Sequence, residues 1–196
     1  MNRSLLPGAG WLAALLLATL AAHAAGTWTT DAAHSRLEFT ATLAGGDFGG
    51  TFRRFKADID FDPADLAGSR FSVGVETASA DTADAERDLA LRGADFFAVE
   101  RWPSARFSAE RFVALGDGRF EALGKLTIRD TSREIRLPFS FKPVADGSRA
   151  ELAGETTIRR LEYGVGQGEW QDTQWLGDKV RIRFTLQLRR HTTTQP

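Results

Sequence analysis

Residues 104–141 read SARFSAERFVALGDGRFEALGKLTIRDTSREIRLPFSF, and this stretch decides the fold class. Apolar side chains recur at every second position on both sides of two polar turns, Gly116–Gly118 and Asp130–Ser132. A period of two is typical of a β-strand that buries one face, because successive side chains point to opposite sides. The Gly-Asp-Gly turn indicates a hairpin. The stretch therefore predicts consecutive antiparallel strands.

The same alternation continues in both directions along the chain. The further apolar rows are Leu37, Phe39 and Ala41; Phe55, Ala57, Ile59 and Phe61; Phe71, Val73 and Val75; Leu152, Thr156 and Ile158; and Val180, Ile182, Phe184, Leu186 and Leu188. About eight evenly spaced strands, mostly joined by hairpins, predict an all-β antiparallel meander. A meander of this length closes into a barrel or packs as a sandwich, and the alternation does not choose between them.

A charged segment, residues 79–103, interrupts the strands. Asp81 or Thr82 is suited to cap a helix N-terminus and Gly93 to end one, so the spacing predicts one short helix. The segment then closes on the aromatic residues Phe96, Phe97 and Trp102. We expect a short helix and an aromatic turn that pack at the edge of the strands and close or frame the interior.

The first 24 residues have the layout of a secretory signal peptide. Arg3 is the only charge before Asp31, residues 11–22 are apolar or small, and Ala22–Ala24 offers small residues for cleavage. The apolar run is shorter than the roughly 20 residues that span a bilayer. We therefore expect export with cleavage near Ala24. The chain has no cysteine, which favours a Gram-negative periplasm over a disulfide-stapled extracellular domain.

Length, charge and aromatic content narrow the class of protein. Removing 24 of the 196 residues leaves 172, enough for one domain, which we place at residues 25–190 before a polar tail at 191–196. The net charge of −1 becomes −2 without Arg3, whereas nucleic-acid binding needs a concentrated basic face. The chain has 14 Phe and 5 Trp against 1 Tyr, and phenylalanine has no polar group. We therefore expect a dry aromatic interior and no nucleic-acid partner.

Few residues are candidates for catalysis or metal binding. Beyond the signal the histidines are His34 and His191, and no GxSxG motif supplies a serine nucleophile. A hydrolytic site would need His34 beside an exposed serine in a cleft, so local hydrogen bonding is the simpler interpretation. No histidines stand at metal-ligand spacing, and the segment Gly164–Gly168 lacks the GxGxxG spacing of a phosphate-binding loop. We predict no catalytic residue, no metal site and no cofactor.

Six short motifs follow one another in a specific order. They are Trp28-x-x-Asp31-x-x-His34-Ser35-x-Leu37-x-Phe39, Gly50-x-Phe52-x-x-Phe55, Arg87-Asp88-x-x-Leu91, Asp95-Phe96-Phe97, Pro103-x-x-Arg106-Phe107 and Gly124-Lys125-Leu126-Thr127-Ile128-Arg129-Asp130. From Trp28 to about Leu188 the chain thereby resembles the YceI-like polyisoprenoid-binding proteins. It departs from them at Asp130, where glycine is usual, and at Thr42–Ala44, where a histidine is common.

The resemblance implies an eight-stranded antiparallel up-and-down lipocalin-like barrel, exported and commonly homodimeric, around an elongated apolar channel. It implies binding of a long isoprenoid chain such as a polyprenyl phosphate or quinone, with transient membrane contact for exchange. Arg87 or Arg92 near the mouth is a candidate for holding a phosphate headgroup, although surface ion pairing is the simpler interpretation of both. Because a barrel of eight strands is either filled or holds one small ligand, an alternative stays open. That alternative is an accessory interaction protein of a membrane redox system, with a packed barrel and no obligatory ligand.

The inward-facing rows, together with Phe97 from the aromatic end of residues 79–103, supply the residues that we expect to contact the lipid. This assignment depends on register, since a slip of one residue moves every side chain of a strand to the other face. The predicted lipid-binding residues are Phe39, Phe55, Ile59, Phe71, Val73, Val75, Phe97, Phe107, Leu126, Ile128, Leu137, Phe139, Ile182 and Phe184.

Overall fold

A computed structural model describes residues 27–191, which form an antiparallel β-barrel with one α-helix in that range. The strands are β1 (Thr27–Thr30), β2 (Arg36–Leu43), β3 (Gly46–Phe52), β4 (Phe55–Asp60), β5 (Arg70–Glu76), β6 (Ala80–Asp81), β7 (Ser104–Gly116), β8 (Arg119–Ile128), β9 (Thr131–Pro143), β10 (Arg149–Arg159) and β11 (Lys179–Arg190). The helix is α1 (Ala85–Arg92), and 3-10 turns lie at Ala32–His34, Thr77–Ser79, Arg160–Tyr163 and Gly168–Gln171. The predicted signal peptide and residues 192–196 of the predicted tail lie outside the described residues. Between residues 27 and 191, no helix is both long and apolar enough to cross a membrane.

The ring of strands closes at β11. One edge of β11 pairs with β10, and its other edge pairs with β2 and then with β1. From β1 the ring continues through β4, β5, β7, β8 and β9 to β10, each strand antiparallel to the next. β3 pairs with β2 and briefly with β6, so β1–β2, β3–β4 and β5–β6 are three ring strands that are each broken once. The predicted eight-stranded antiparallel barrel is confirmed.

Two serine hydroxyls hold the backbone at these breaks. Ser35 Oγ donates to the carbonyl of Asp31 at 2.7 Å and accepts from the N–H of Gln187 at 3.0 Å. Ser79 Oγ donates to a carbonyl of β5 at 2.6 Å and accepts from the N–H of Arg54 at 3.0 Å. A buried backbone group needs a partner wherever the ladder is interrupted. The two hydroxyls supply partners to four backbone groups where the strands change direction.

Aromatic side chains fill one end of the barrel around Phe61, which is 1% exposed. Its ring centre lies 5.0 Å from those of Phe120 and Phe141 and 5.2 Å from that of Phe139, all edge to face. Such pairs add about 0.5–1.5 kcal/mol each to the energy of burial. Trp28 lies beside them and donates its indole N–H to the Phe61 carbonyl at 2.9 Å. We call this the phenylalanine cluster, and it closes that end of the barrel.

Residues 79–103 form α1 and a turn against the barrel, as predicted. The N-cap, however, is Asp84, whose carboxylate accepts two helix N–H groups at 3.1 Å each, so the prediction of Asp81 or Thr82 was wrong. Thr82 instead donates its N–H and its hydroxyl to a carboxylate inside the helix. Gly93 follows the last helical residue, as expected.

Candidate functional site

An apolar cavity of about 550 Å³ occupies the barrel between the phenylalanine cluster and α1. Inward-facing side chains from all eight ring strands form its wall, and residues of α1 and of the β10–β11 connection complete it. Ligand sites in proteins have volumes of about 300–1,000 Å³. The interior is therefore packed at one end and open at the other.

Thirteen of the fourteen predicted lipid-binding residues line this cavity. Phe139 is the exception, because its ring stacks on that of Phe120 at 5.6 Å within the phenylalanine cluster. The predicted inward orientation of Phe139 is right, but alternation carries no information on height along the barrel. Lipid contact stays a prediction for all fourteen residues.

Several lining residues lie outside the alternating rows that the sequence displays. Phe48 and Phe52 come from β3, Leu91 from α1, and Trp170 and Leu176 from the β10–β11 connection. The spacing of four between the two phenylalanines places both on one face of a strand, which is a signal that sequence reasoning missed. The residues of the connection carry no periodic signal, because they lie in an irregular loop.

The mouth of the cavity lies at the start of α1. Three polar lining residues, Asp84, Glu86 and Arg87, stand together there. Glu86 and Ala90 line the cavity and are also exposed, so the cavity meets solvent at this helix. The mouth therefore combines one cationic and two carboxylate side chains, whereas the wall behind it is almost wholly apolar.

The two arginines predicted near the mouth differ in position. The guanidinium of Arg87 lies 4.6 Å from the centre of the Phe48 ring and donates to Asp84 at 3.0 Å, at the lining of the cavity. Arg92 donates to the carbonyl of Ala78 at 3.2 Å and does not line the cavity. Of the two, Arg87 alone lines the cavity.

A buried arginine organises the loop beside the mouth. Arg160 is 3% exposed, and its guanidinium donates five hydrogen bonds of 2.6–3.3 Å to backbone carbonyls. The acceptors are Val165, Gly166, Trp170, Leu176 and Gly177. Burial lowers the pKa of this guanidinium, although an arginine stays charged near neutral pH. A guanidinium has five N–H groups, so Arg160 holds the loop and has no donor left for a ligand.

The remaining sequence candidates lie away from the cavity. His34 is 71% exposed, and its Nδ1 lies 3.1 Å from the carboxylate of Asp31, which confirms the expected local hydrogen bond. The neighbouring Ser35 is buried, with its hydroxyl engaged by backbone groups. The segment Gly164–Gly168 is a loop, as predicted, and two of its N–H groups donate to the carbonyl of Asp95.

Known sequences resemble that of this chain. The family model described as a YceI-like domain matches residues 28–188. A UPF0312 protein of Vibrio cholerae serotype O1 is 32% identical over 160 residues, which cover 79% of this chain and 85% of that protein. A UPF0312 protein of Ectopseudomonas mendocina is 32% identical over 120 residues, which cover 59% of this chain and 63% of that protein.

Solved structures show the same barrel. The crystal structure of Burkholderia cenocepacia BcnA superposes with a TM-score of 0.77 at 28% identity, covering 81% of this chain and 98% of that chain. A polyisoprenoid binding domain from Saccharophagus degradans, implicated in plant cell wall breakdown, superposes with a TM-score of 0.69 and covers 85% and 99%. Its identity of 13% makes that likeness one of fold alone. The family model matches residues 28–188, which include every strand around the cavity, and this chain therefore belongs to the YceI-like family.

Proposed function

We propose that this protein binds and carries a long-chain isoprenoid lipid of the polyprenyl phosphate or quinone type, and that it is not an enzyme. The cavity carries this proposal, because its lining is apolar except for three residues at α1, Thr156 and Arg160. The tail would lie inside the barrel, with the head beside Arg87. Membership of the YceI-like family, and a fold shared with a polyisoprenoid binding domain, support the proposal.

The volume of the cavity bounds the length of tail that it encloses. A water molecule takes about 30 Å³ in the liquid, and a methylene group is of similar size. The cavity therefore holds about eighteen carbon groups, which correspond to about four isoprene units of five carbons each. Burying that many methylene groups is worth about 14 kcal/mol relative to water. A membrane buries the tail equally well, so the net preference for the protein is small. A carrier that loads and unloads needs such a balance.

Direct identification of the ligand tests the proposal. Purified protein extracted with organic solvent should release an isoprenoid that mass spectrometry detects. After delipidation the protein should take up geranylgeraniol, whose length matches the cavity. A barrel that is consistently empty and takes up no geranylgeraniol would contradict the proposal and favour the accessory interaction protein.

We further propose that the protein works in the periplasm as a homodimer. Residues 1–24 support export through their charge and apolar pattern. The dimer rests on the resemblance alone, and sedimentation of the purified protein will test it. A carrier in that compartment can reach both membranes by diffusion.

We also propose that the mouth end of the barrel contacts the membrane during lipid exchange. Leu89 of α1 is 69% exposed and Trp175 is 55% exposed. The carbonyl of Trp175 accepts from the N–H of Ala44 at 2.8 Å, at the turn between β2 and β3. Phe48 of β3 contacts Arg87 of α1, so the β2–β3 hairpin lies beside the helix at the mouth. Leu89 on the helix and Trp175 beside the hairpin therefore belong to segments around the mouth. Exposed tryptophan and leucine favour the membrane interface.

Replacing both of these side chains should slow exchange without preventing binding. We expect Leu89→Ser/Trp175→Ser to transfer geranylgeraniol from phosphatidylethanolamine–phosphatidylglycerol vesicles about tenfold more slowly, with equal uptake at equilibrium. The control is Val113→Ser/Leu115→Ser, which removes exposed apolar side chains near the β7–β8 turn, at the opposite end. If the control variant transfers the lipid more slowly and Leu89→Ser/Trp175→Ser transfers it normally, the membrane contact lies at the closed end of the barrel and the proposal is contradicted.

A further inference from the structure

Three glycines in the barrel wall each lie beneath a phenylalanine ring that lines the cavity. The pairs are Gly50 with Phe39, Gly124 with Phe107, and Gly154 with Phe184. A Cβ atom built on Gly124 would lie 2.6 Å from two ring carbons of Phe107, and one on Gly154 would lie 2.6 Å from a ring carbon of Phe184. A Cβ on Gly50 would also overlap its ring. All three rings therefore occupy space that any other residue at the glycine position would fill.

The position of these pairs along the barrel is informative. A glycine inside a strand costs backbone entropy and provides no side chain for packing. An aromatic ring that lies over the glycine recovers part of that packing. The ring then lies close to the barrel wall and occupies little of the interior volume. In the phenylalanine cluster, where rings fill the lumen, Phe112 stands opposite Ala122 and Phe120 opposite Phe139. Gly50 and Gly124 thus lie in the open part of the barrel, where their strand partners are Phe39, Ala109 and Ile135. Gly154 lies at its border, because it pairs with Phe184 on one side and with Phe139 of the phenylalanine cluster on the other.

We propose that the three glycine–phenylalanine pairs set the bore of the cavity and thereby its preference for a methyl-branched isoprenoid chain over a straight alkyl chain. This inference rests on the proposed function. An isoprenoid carries a methyl branch on every repeating unit, so it needs a wider passage than an unbranched chain of equal length. A Cβ on a wall glycine pushes the ring toward the axis and narrows that passage.

Gly50→Ala is the most direct test. The nearest backbone atom to the added Cβ is the Asp81 carbonyl oxygen at 2.9 Å, which belongs to the two-residue strand β6. We expect the affinity for geranylgeraniol to fall at least about tenfold and that for eicosan-1-ol to fall less than about threefold. The control is Gly49→Ala, at the preceding residue of β3, where the nearest atom to the added Cβ is a backbone oxygen at 3.5 Å. It should leave the ratio of the two affinities unchanged.

The double variant Gly50→Ala/Phe39→Leu should restore the ratio, because the smaller side chain leaves room for the Cβ. The inference would be overturned if Gly50→Ala left the ratio of the two affinities unchanged. It would also be overturned if Gly50→Ala weakened binding of both probes equally and the double variant did not restore it. If circular dichroism shows that Gly50→Ala does not fold, Ile182→Phe narrows the same level, since Ile182 pairs with Phe39. An unchanged ratio in that variant would also overturn it. A wild-type protein that binds neither probe would instead contradict the proposed function.

Discussion

Arg160→Met should lower the free energy of unfolding by about 4 kcal/mol. Methionine fills much of the same space but donates no hydrogen bond, so five backbone carbonyls of the β10–β11 connection lose their partner. Each buried acceptor left unpaired costs about 1–3 kcal/mol, and water will reach some of the five but not all. Chemical denaturation measures the change. Because Trp170 and Leu176 of this loop line the cavity, uptake of geranylgeraniol should fall as well.

The neighbouring residue provides a matched control. The Arg159 side chain is 58% exposed, and its guanidinium lies 3.2 Å from the carboxylate of Asp178. Exposed ion pairs are worth about 0–1 kcal/mol, so Arg159→Met should change stability by no more than that. If Arg160→Met unfolds within about 1 kcal/mol of the wild-type protein, its hydrogen bonds do not hold the loop. Hydrogen exchange of amides 165–177 should accelerate in Arg160→Met alone.

Val73→Trp should reduce uptake of geranylgeraniol by about tenfold to a hundredfold. Val73 lies on β5 and faces the cavity, where an indole ring would displace about two to four methylene groups of the ligand. Each displaced group forfeits about 0.8 kcal/mol of burial. Uptake by delipidated protein, followed by mass spectrometry of the extract, measures the loss.

The adjacent Ser72 offers the control for this substitution. Ser72 is exposed on the outer side of the same strand, so Ser72→Trp adds the same ring without entering the cavity. It should bind geranylgeraniol as the wild-type protein does. Thermal unfolding of both variants checks that the barrel persists. If Val73→Trp is folded and takes up geranylgeraniol as the wild-type protein does, the isoprenoid does not lie in this cavity. That result would support the accessory interaction protein with no obligatory ligand.

Local patterns were enough to predict most of the barrel. Period-two alternation is a property of the extended backbone, so it placed twelve predicted residues on the cavity wall without knowledge of their neighbours. The thirteenth, Phe97, lies in the turn after α1. The helix N-terminus was misplaced, because Asp81, Thr82 and Asp84 all have side chains suited to capping. In the structure Asp84 accepts the helix N–H groups, whereas Thr82 bonds to a carboxylate within the helix. Phe139 shows the same limit, since its height in the barrel depends on the rings opposite it.

The sequence by itself determined the strands, their inward faces and the family of this chain, because these depend on residues close together or in a fixed order. Only the tertiary structure decided where the barrel is filled and where it is open. That division depends on whether a ring meets other rings, as at Phe61, or lies over a glycine, as Phe107 does over Gly124. Arg160 likewise acquires its role only when the loop folds around it, because an arginine in sequence does not reveal which carbonyls will surround it.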